Sequence, residues 1–99
     1  MIVGTLEIAF RLEGCRSLKD KRQIVRSLLD RIRHDFHASA AEVADHELWG
    51  NATLGFAIVG IDPLQIESAL QKITDVIESD PRVTSDYVDR AISRSEPQT

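Results

Sequence analysis

The chain has 99 residues, of which 42% are apolar and 28% charged, a balance typical of one globular domain with little room for a second core. Its single cysteine excludes an internal disulfide and a cysteine-based zinc site. The net charge of −4 disfavours a general nucleic-acid binder, and no apolar run suits a membrane span or signal peptide, so we expect a cytoplasmic protein without a membrane partner.

The charge is distributed unevenly along the chain. Residues 16–33 carry seven basic and two acidic side chains, which is a formal charge of +5. Because the whole chain carries −4, the remainder carries −9. This distribution indicates that one segment can attract an anionic partner although the protein as a whole is acidic.

In the first third of the chain, the spacing of apolar residues changes from a period of two to a period of 3.6. Residues 2–12 alternate apolar and polar side chains, which predicts a half-buried strand whose even-numbered residues face the core. After Gly14, Ser17 is placed to cap a helix and Asp20 adds negative charge to the first turn. The period of 3.6 residues that follows predicts an amphipathic helix from Leu18 to about His37.

The rest of the chain predicts two strands, a second helix and a final strand. The strands are expected at 38–45 and 52–61, separated by a connection that contains Leu48 and Trp49. Asp62-Pro63 is a strong helix start, and Asp80-Pro81 is a stop. The last strand is expected at 82–93, with a bulge near Tyr87 where the alternation slips.

The resulting order is β-α-β-β-α-β, which predicts an α+β fold of the ferredoxin-like, split-βαβ kind. Both helices would pack on one face of a four-stranded antiparallel sheet and leave the other face open. We expect a single domain over residues 1–92 and a flexible C-terminal tail over 93–99, which is polar and contains proline.

The predicted first helix has the strongest functional signal. Its capped start presents backbone N–H groups at the positive end of the helix dipole, and its basic residues form one stripe beside the apolar face, which is suited to a phosphate backbone. The alternative is a solvated helix face in which Arg26 pairs with Asp30. The candidate anion-binding residues are Arg16, Ser17, Lys19, Arg22, Arg26 and Arg33.

The residues expected on the open sheet face indicate a contact with protein and not with nucleic acid. The outward positions of its two central strands are small and hold no aromatic residue, which argues against base stacking on the sheet and favours pairing with a second copy or another protein. Trp49 is either a plug at the end of the core, which we favour, or an anchor for a partner. The candidate interaction residues are Trp49, Val3, Thr5, Ala57 and Val59.

No residue pattern predicts a catalytic residue, a metal site or a cofactor. Nothing in the sequence brings together the three histidines, His34, His37 and His46. Cys15 lies at a helix start, where its surroundings favour a thiolate, but no histidine is placed as its partner base. An enzyme is therefore the third alternative, and no residue indicates its substrate.

Several segments together resemble a known family: Met1–Leu6, Gly14–Arg22, Ala41–Val43, Leu48-Trp49 and Leu54-Gly55. They resemble the bacterial YlxP-like family, the domain of unknown function 503, over roughly residues 1–92. The resemblance implies a ferredoxin-like fold, a cytoplasmic location and no settled activity, so no catalytic residue carries over. It also implies a link to the ribosome, because genes of the family often lie among those for translation initiation and ribosome maturation.

Two hypotheses from different classes follow. In the first, a non-enzymatic accessory domain binds ribosomal RNA or a ribosomal subunit through its basic first helix, whose N-terminal loop amides hold one oxyanion. In the second, a homodimer or other interaction or ligand-binding domain acts through its open sheet face. Salt separates them, because phosphate contacts weaken steeply with salt and apolar pairing does not.

Overall fold

The computed structural model describes residues 1–95 and contains six elements. They are β1 (Ile2–Leu12), α1 (Leu18–Phe36), β2 (Ser39–Ala44), β3 (Asn51–Gly60), α2 (Pro63–Glu78) and β4 (Val83–Arg94). The strands form one antiparallel sheet in the order β2-β3-β1-β4, and both helices pack on the same face. This arrangement confirms the predicted ferredoxin-like fold. Within residues 1–95, neither helix has the length and apolarity needed to cross a bilayer.

The core lies between the helices and the even-numbered face of β1, as the alternation predicts. Leu6, Ile8 and Phe10 are at most 1% exposed. They belong to one apolar cluster with residues of both helices, which include Val25, Leu28 and Ile32 from α1 and Ile66, Leu70 and Ile73 from α2. Burial of these side chains, each contributing roughly 1.5–3 kcal/mol, holds the helices on the sheet.

The helix ends follow the predicted capping residues. The Ser17 hydroxyl accepts a hydrogen bond from the Asp20 N–H at 3.1 Å, which fixes the start of α1. The helix ends at His37, whose φ of 52° is left-handed and whose N–H donates to the Arg33 carbonyl. Asp62 caps α2 in the same way as Ser17 caps α1, by accepting from the Leu64 N–H at 2.9 Å.

The last strand extends further than its sequence pattern predicts. Arg94, which the sequence pattern places only in the tail, continues β4 and pairs with Ile2, and Ser93, where the predicted strand and tail meet, pairs with Val3. Beyond the strand, the Ser95 N–H donates to the Met1 carbonyl at 2.8 Å. Side-chain alternation cannot reveal such backbone pairing. Residues 96–99 of the predicted tail lie outside the described residues.

The irregularity predicted near Tyr87 is present. Ala9 pairs with Tyr87 and Phe10 pairs with Ser85, so Asp86 is an extra residue in β4. This bulge reverses the facing of the residues that follow it, which explains why the alternation slips at this point.

Candidate nucleic-acid interface

Four of the predicted anion-binding residues form a line along α1, and we call Lys19, Arg22, Arg26 and Arg33 the basic stripe. At one end of the line, the Arg33 guanidinium donates to the Ala40 carbonyl of β2 at 2.5 Å. On the opposite side of α1, Arg31 lines a cleft with the C-terminal end of α2. The basic stripe therefore lies on the side of α1 away from α2, beside the edge strand β2.

Three members of the basic stripe have no partner among residues 1–95. Lys19, Arg22 and Arg26 are exposed, and none of their side chains makes a hydrogen bond or ion pair with residues 1–95. The sequence alternative paired Asp30 with Arg26, but Asp30 instead contacts Arg33 at 3.3 Å. The hydrogen bond of Arg33 to the Ala40 carbonyl of β2 places its guanidinium within reach of Asp30, which lies one helical turn before Arg33 in α1. The other three cations remain free to meet an anion.

The start of α1 is closed by the protein's own carboxylate. Ser17 accepts from the Asp20 N–H, and the Asp20 carboxylate lies 3.4 Å from the backbone nitrogen of Arg16. This reciprocal arrangement resembles a capping box, with the N–H of Arg16 in place of that of the N-cap residue. An external anion at these amides would meet a like charge, so we leave Ser17 and the predicted oxyanion site out of the interface. The exposed side chain of Arg16 remains beside the first turn.

Lys21 is a buried cation that the sequence analysis did not single out. Its side chain is 1% exposed, its ammonium lies 2.9 Å from Glu42 Oε2, and it donates to the carbonyls of Leu48, at 2.6 Å, and Asp45. Glu42 Oε2 is buried and accepts no hydrogen bond of good geometry within residues 1–95, so this ion pair is its compensation. A signal was available in the sequence: Lys21 is three residues after Leu18 and therefore lies on the apolar face of the helix.

Lys21 attaches the β2–β3 connection to the first turn of α1. The connection is fixed a second time where the Thr53 hydroxyl donates to the Asp45 carboxylate at 2.7 Å. Asp45 itself has a left-handed φ of 65°. The connection that carries Leu48 and Trp49 is therefore held at the N-terminal end of α1, where the basic stripe begins.

Trp49 is 51% exposed, so our preferred interpretation of it as a plug of the core was wrong. The end of the core beside β1 is already filled by Leu12 and Cys15, which are 6% and 5% exposed. The Leu12 N–H donates to the Gly50 carbonyl, so the connection runs past this end without entering it. The indole is left on the surface.

The open sheet face brings together the four predicted interaction residues of the central strands. Val3 pairs with Val59 and Thr5 pairs with Ala57, all on the face opposite the helices. A shallow groove of about 520 Å³ crosses this face. Val43 of β2 covers part of it, because its methyl groups lie over Gly55.

The edge strand β4 makes this face more polar and more acidic than the central strands indicate. The Tyr87 hydroxyl donates to the Glu7 carboxylate at 2.8 Å, and this hydrogen bond raises the pKa of the phenol above its ordinary value. Asp89 lines the same groove. The carboxylates and the basic stripe therefore lie on opposite sides of the molecule.

The remaining candidates for chemistry lie apart from one another. Cys15 is packed in the core, where its thiol donates to the Ser17 carbonyl at 3.5 Å, so the sulfur is not accessible at the helix surface. His34 contacts Asp35, whereas His46 contacts the backbone carbonyl of Glu42. Among residues 1–95, no three histidine, cysteine or acidic side chains are arranged to hold a metal ion.

Comparison with known proteins gives a family and a fold but no activity. A family model described as "Protein of unknown function (DUF503)" matches residues 3–89. The "Uncharacterized protein YlxP" of Bacillus subtilis (strain 168) is 28% identical over 95 residues, which are 96% of this chain and 98% of that protein. A designed protein with a ferredoxin fold superposes with a TM-score of 0.56 and 13% identity, covering 100% of this chain and 91% of its own, and this similarity shows the fold alone.

Proposed function

The chain belongs to the DUF503 family of proteins of unknown function, and we propose that it is a non-enzymatic accessory domain that binds RNA through the basic stripe of α1. The observation that carries this proposal is a line of three exposed cations that have no partner within the described part of the chain: Lys19, Arg22 and Arg26. The choice of ribosomal RNA or a ribosomal subunit as the partner comes from the resemblance to the YlxP-like family.

The spacing of these cations suits a run of phosphates. Lys19 and Arg26 are seven residues apart, about 10 Å along a helix axis. Each strand of double-stranded DNA carries one negative charge per ~3.4 Å of helix axis, so a strand of similar spacing places about three phosphates along this length. Arg16 extends the positive surface at one end and Arg33 extends it at the other.

The acidic sheet face supports a defined orientation of binding. Glu7 and Asp89 repel a polyanion on the side of the molecule opposite the basic stripe. An approaching RNA is therefore steered to α1 although the net charge is −4.

The test compares two triple charge reversals of equal size. One variant carries Glu at Lys19, Arg22 and Arg26. The control carries Glu at Arg31, Lys72 and Arg90, which lie outside the basic stripe, and each variant has a net charge of −10 instead of −4. Binding to ribosomal subunits, ribosomal RNA fragments and single-stranded DNA is measured at low and moderate salt.

We expect the basic-stripe variant to lose RNA binding at low salt and the control to weaken it only slightly. Equal losses in both variants would assign the effect to net charge and contradict a defined interface. No binding of the unmodified protein to any RNA or ribosomal subunit would overturn the proposed function. Tighter binding to single-stranded DNA than to RNA would contradict RNA as the partner.

The open sheet face supports a second candidate function, self-association as a homodimer. The supporting observation is Val59, which is 67% exposed on this face beside the groove. Sedimentation equilibrium tests it: a dimer that Val59→Glu converts to a monomer supports pairing through the sheet. A monomer at every concentration, or a dimer indifferent to this substitution, contradicts it.

A further inference from the structure

We propose that Trp49 stacks on a base of an unpaired RNA segment whose phosphates lie on the basic stripe, so that the interface selects single-stranded over double-helical RNA. The inference rests on the proposed RNA-binding function and adds to it a second contact and a class of RNA. It starts from the 51% exposure of the indole, which is the largest aromatic surface the chain offers.

The position of Trp49 follows from the contacts of Lys21. The Lys21 ammonium donates to the carbonyl of Leu48, the residue directly before Trp49. Lys21 is in turn the residue directly before Arg22 of the basic stripe. The backbone directly before Trp49 is therefore attached to the first turn of α1, at the end of the stripe where the cations have no partners within residues 1–95.

The path of β2 leads to the same position. Ala40, near the start of β2, lies under Arg33 at the C-terminal end of α1. Glu42, further along the strand, contacts Lys21 near the N-terminal end. Strand and helix therefore run in opposite directions, and the connection after β2 emerges at the end of α1 that carries Lys19 and Arg22.

The connection is held in place before any ligand arrives. Three oxygen atoms surround the Lys21 ammonium, and Thr53 holds the Asp45 carboxylate at 2.7 Å. Because the connection that carries Trp49 is fixed, its backbone loses little conformational entropy when a ligand binds. An exposed indole on such a connection suits stacking, which needs one free ring face and no particular base.

The combination of a ring and a row of cations selects the kind of RNA. Phosphates are available on any nucleic acid, but the bases of a double helix are stacked inside it and cannot reach a surface ring. An unpaired strand can place its phosphates on Lys19 and Arg22 and turn one base onto Trp49. A duplex can use the cations only.

The experiment uses the fact that the chain has one tryptophan, so its fluorescence reports Trp49 alone. The full chain is titrated with an oligouridylate of about ten nucleotides, with a duplex RNA of the same length and with heparin, which is a polyanion without bases. We expect the oligouridylate to quench the fluorescence strongly. Heparin and the duplex are expected to bind at low salt with little quenching.

Three variants complete the test, with affinity measured by the anisotropy of a labelled oligouridylate. We expect Trp49→Ala to weaken binding about 5- to 100-fold and Trp49→Phe to weaken it less. Leu48→Ala is the matched control, because Leu48 is also 51% exposed in the same connection but has no ring. It should leave the affinity unchanged.

The two proposals fail in different ways. Absence of RNA binding by the unmodified protein overturns both. Binding that depends on the basic stripe, but without quenching and with equal affinity in Trp49→Ala, overturns the stacking proposal alone and leaves Trp49 for a protein partner. Equal affinity for single-stranded and duplex RNA also overturns the proposed selection.

Discussion

Lys21 is 1% exposed, and the cost of removing its ammonium group from water is offset by contacts with three oxygen atoms. The Glu42 carboxylate supplies the opposite charge, and the carbonyls of Asp45 and Leu48 supply the remaining acceptors. Removal of one charge from such a group leaves the other buried without a partner, which is more costly than loss of the whole pair.

We therefore predict that Lys21→Met lowers the free energy of unfolding by about 3 kcal/mol, near the lower end for a buried pair because Glu42 is 18% exposed. The double variant Lys21→Met/Glu42→Leu should recover part of this loss. The measurement is urea denaturation followed by circular dichroism. Lys19→Met is the control: Lys19 is exposed and contacts no charged partner within the described residues, so its change should stay within ~0.5 kcal/mol. Equal effects at Lys19 and Lys21 would contradict the assigned role of the buried pair.

The hydrogen bond of Tyr87 predicts that the free energy of unfolding decreases at alkaline pH. Its hydrogen bond to Glu7 raises the phenol pKa above 10.0, so the folded state holds the proton more tightly than the unfolded state. The resulting stabilisation is present below about pH 10 and is lost as the pH rises through the raised pKa.

Because Tyr87 is the single tyrosine, the absorbance of tyrosinate reports this group alone. We expect Glu7→Ala to lower the titration midpoint toward 10.0, since the acceptor is removed. An unchanged midpoint would contradict the contact. Glu67→Ala is a suitable control, because Glu67 is exposed on α2 and should not affect the titration.

At the scale of elements, the distance between β1 and α2 is set by the absence of a side chain at Gly4. A Cβ atom there would lie inside van der Waals contact of Ile66 Cγ2 and 3.1 Å from Leu70 Cδ1. Any larger residue at this position pushes the helix away from the sheet, because both neighbours belong to the packed core.

Gly4→Ala is therefore expected to lower the free energy of unfolding by about 1–3 kcal/mol through overpacking. Gly50→Ala is the matched control, since a Cβ atom at Gly50 meets no atom within 4 Å. Thermal and urea denaturation of the two variants make the comparison. Equal free energies of unfolding for the two variants would show that α2 moves to accommodate the added methyl group without loss of stability, and would contradict the prediction.

At the scale of the whole molecule, the basic stripe lies on the side of α1 beside β2, whereas the carboxylates of Glu7 and Asp89 lie at the groove on the open sheet face. The two groups of charges therefore occupy different surfaces. This separation allows an acidic protein to bind a polyanion on one side, and the strength of that binding must depend on salt.

For a single-stranded RNA we predict that Arg22→Gln reduces the slope of log K against log salt concentration by about 0.7, the value for one lost phosphate contact. Arg31→Gln should leave the slope unchanged, because Arg31 faces the opposite side of α1. The slopes are obtained from anisotropy titrations at a series of salt concentrations. Equal slopes for Arg22→Gln and the unmodified protein would exclude a phosphate contact at Arg22.

Periodicity and local capping were enough to predict the elements and the fold from the amino-acid sequence. The alternation of residues 2–12, the period of 3.6 in α1 and the caps Ser17 and Asp62 predict the element order and hence the fold. The basic stripe is also visible in the sequence, because helical geometry alone places residues three, four and seven apart on one side.

Features that depend on contacts between residues distant in sequence became visible in the folded structure alone. The partner of Lys21 is 21 residues away, and the exposure of Trp49 depends on Leu12 and Cys15 filling the end of the core first. The extension of β4 depends on backbone pairing with the first residues of the chain. Such contacts form only when the chain folds. The local sequence pattern does not specify which of several compatible residues a buried charge or an aromatic ring will contact.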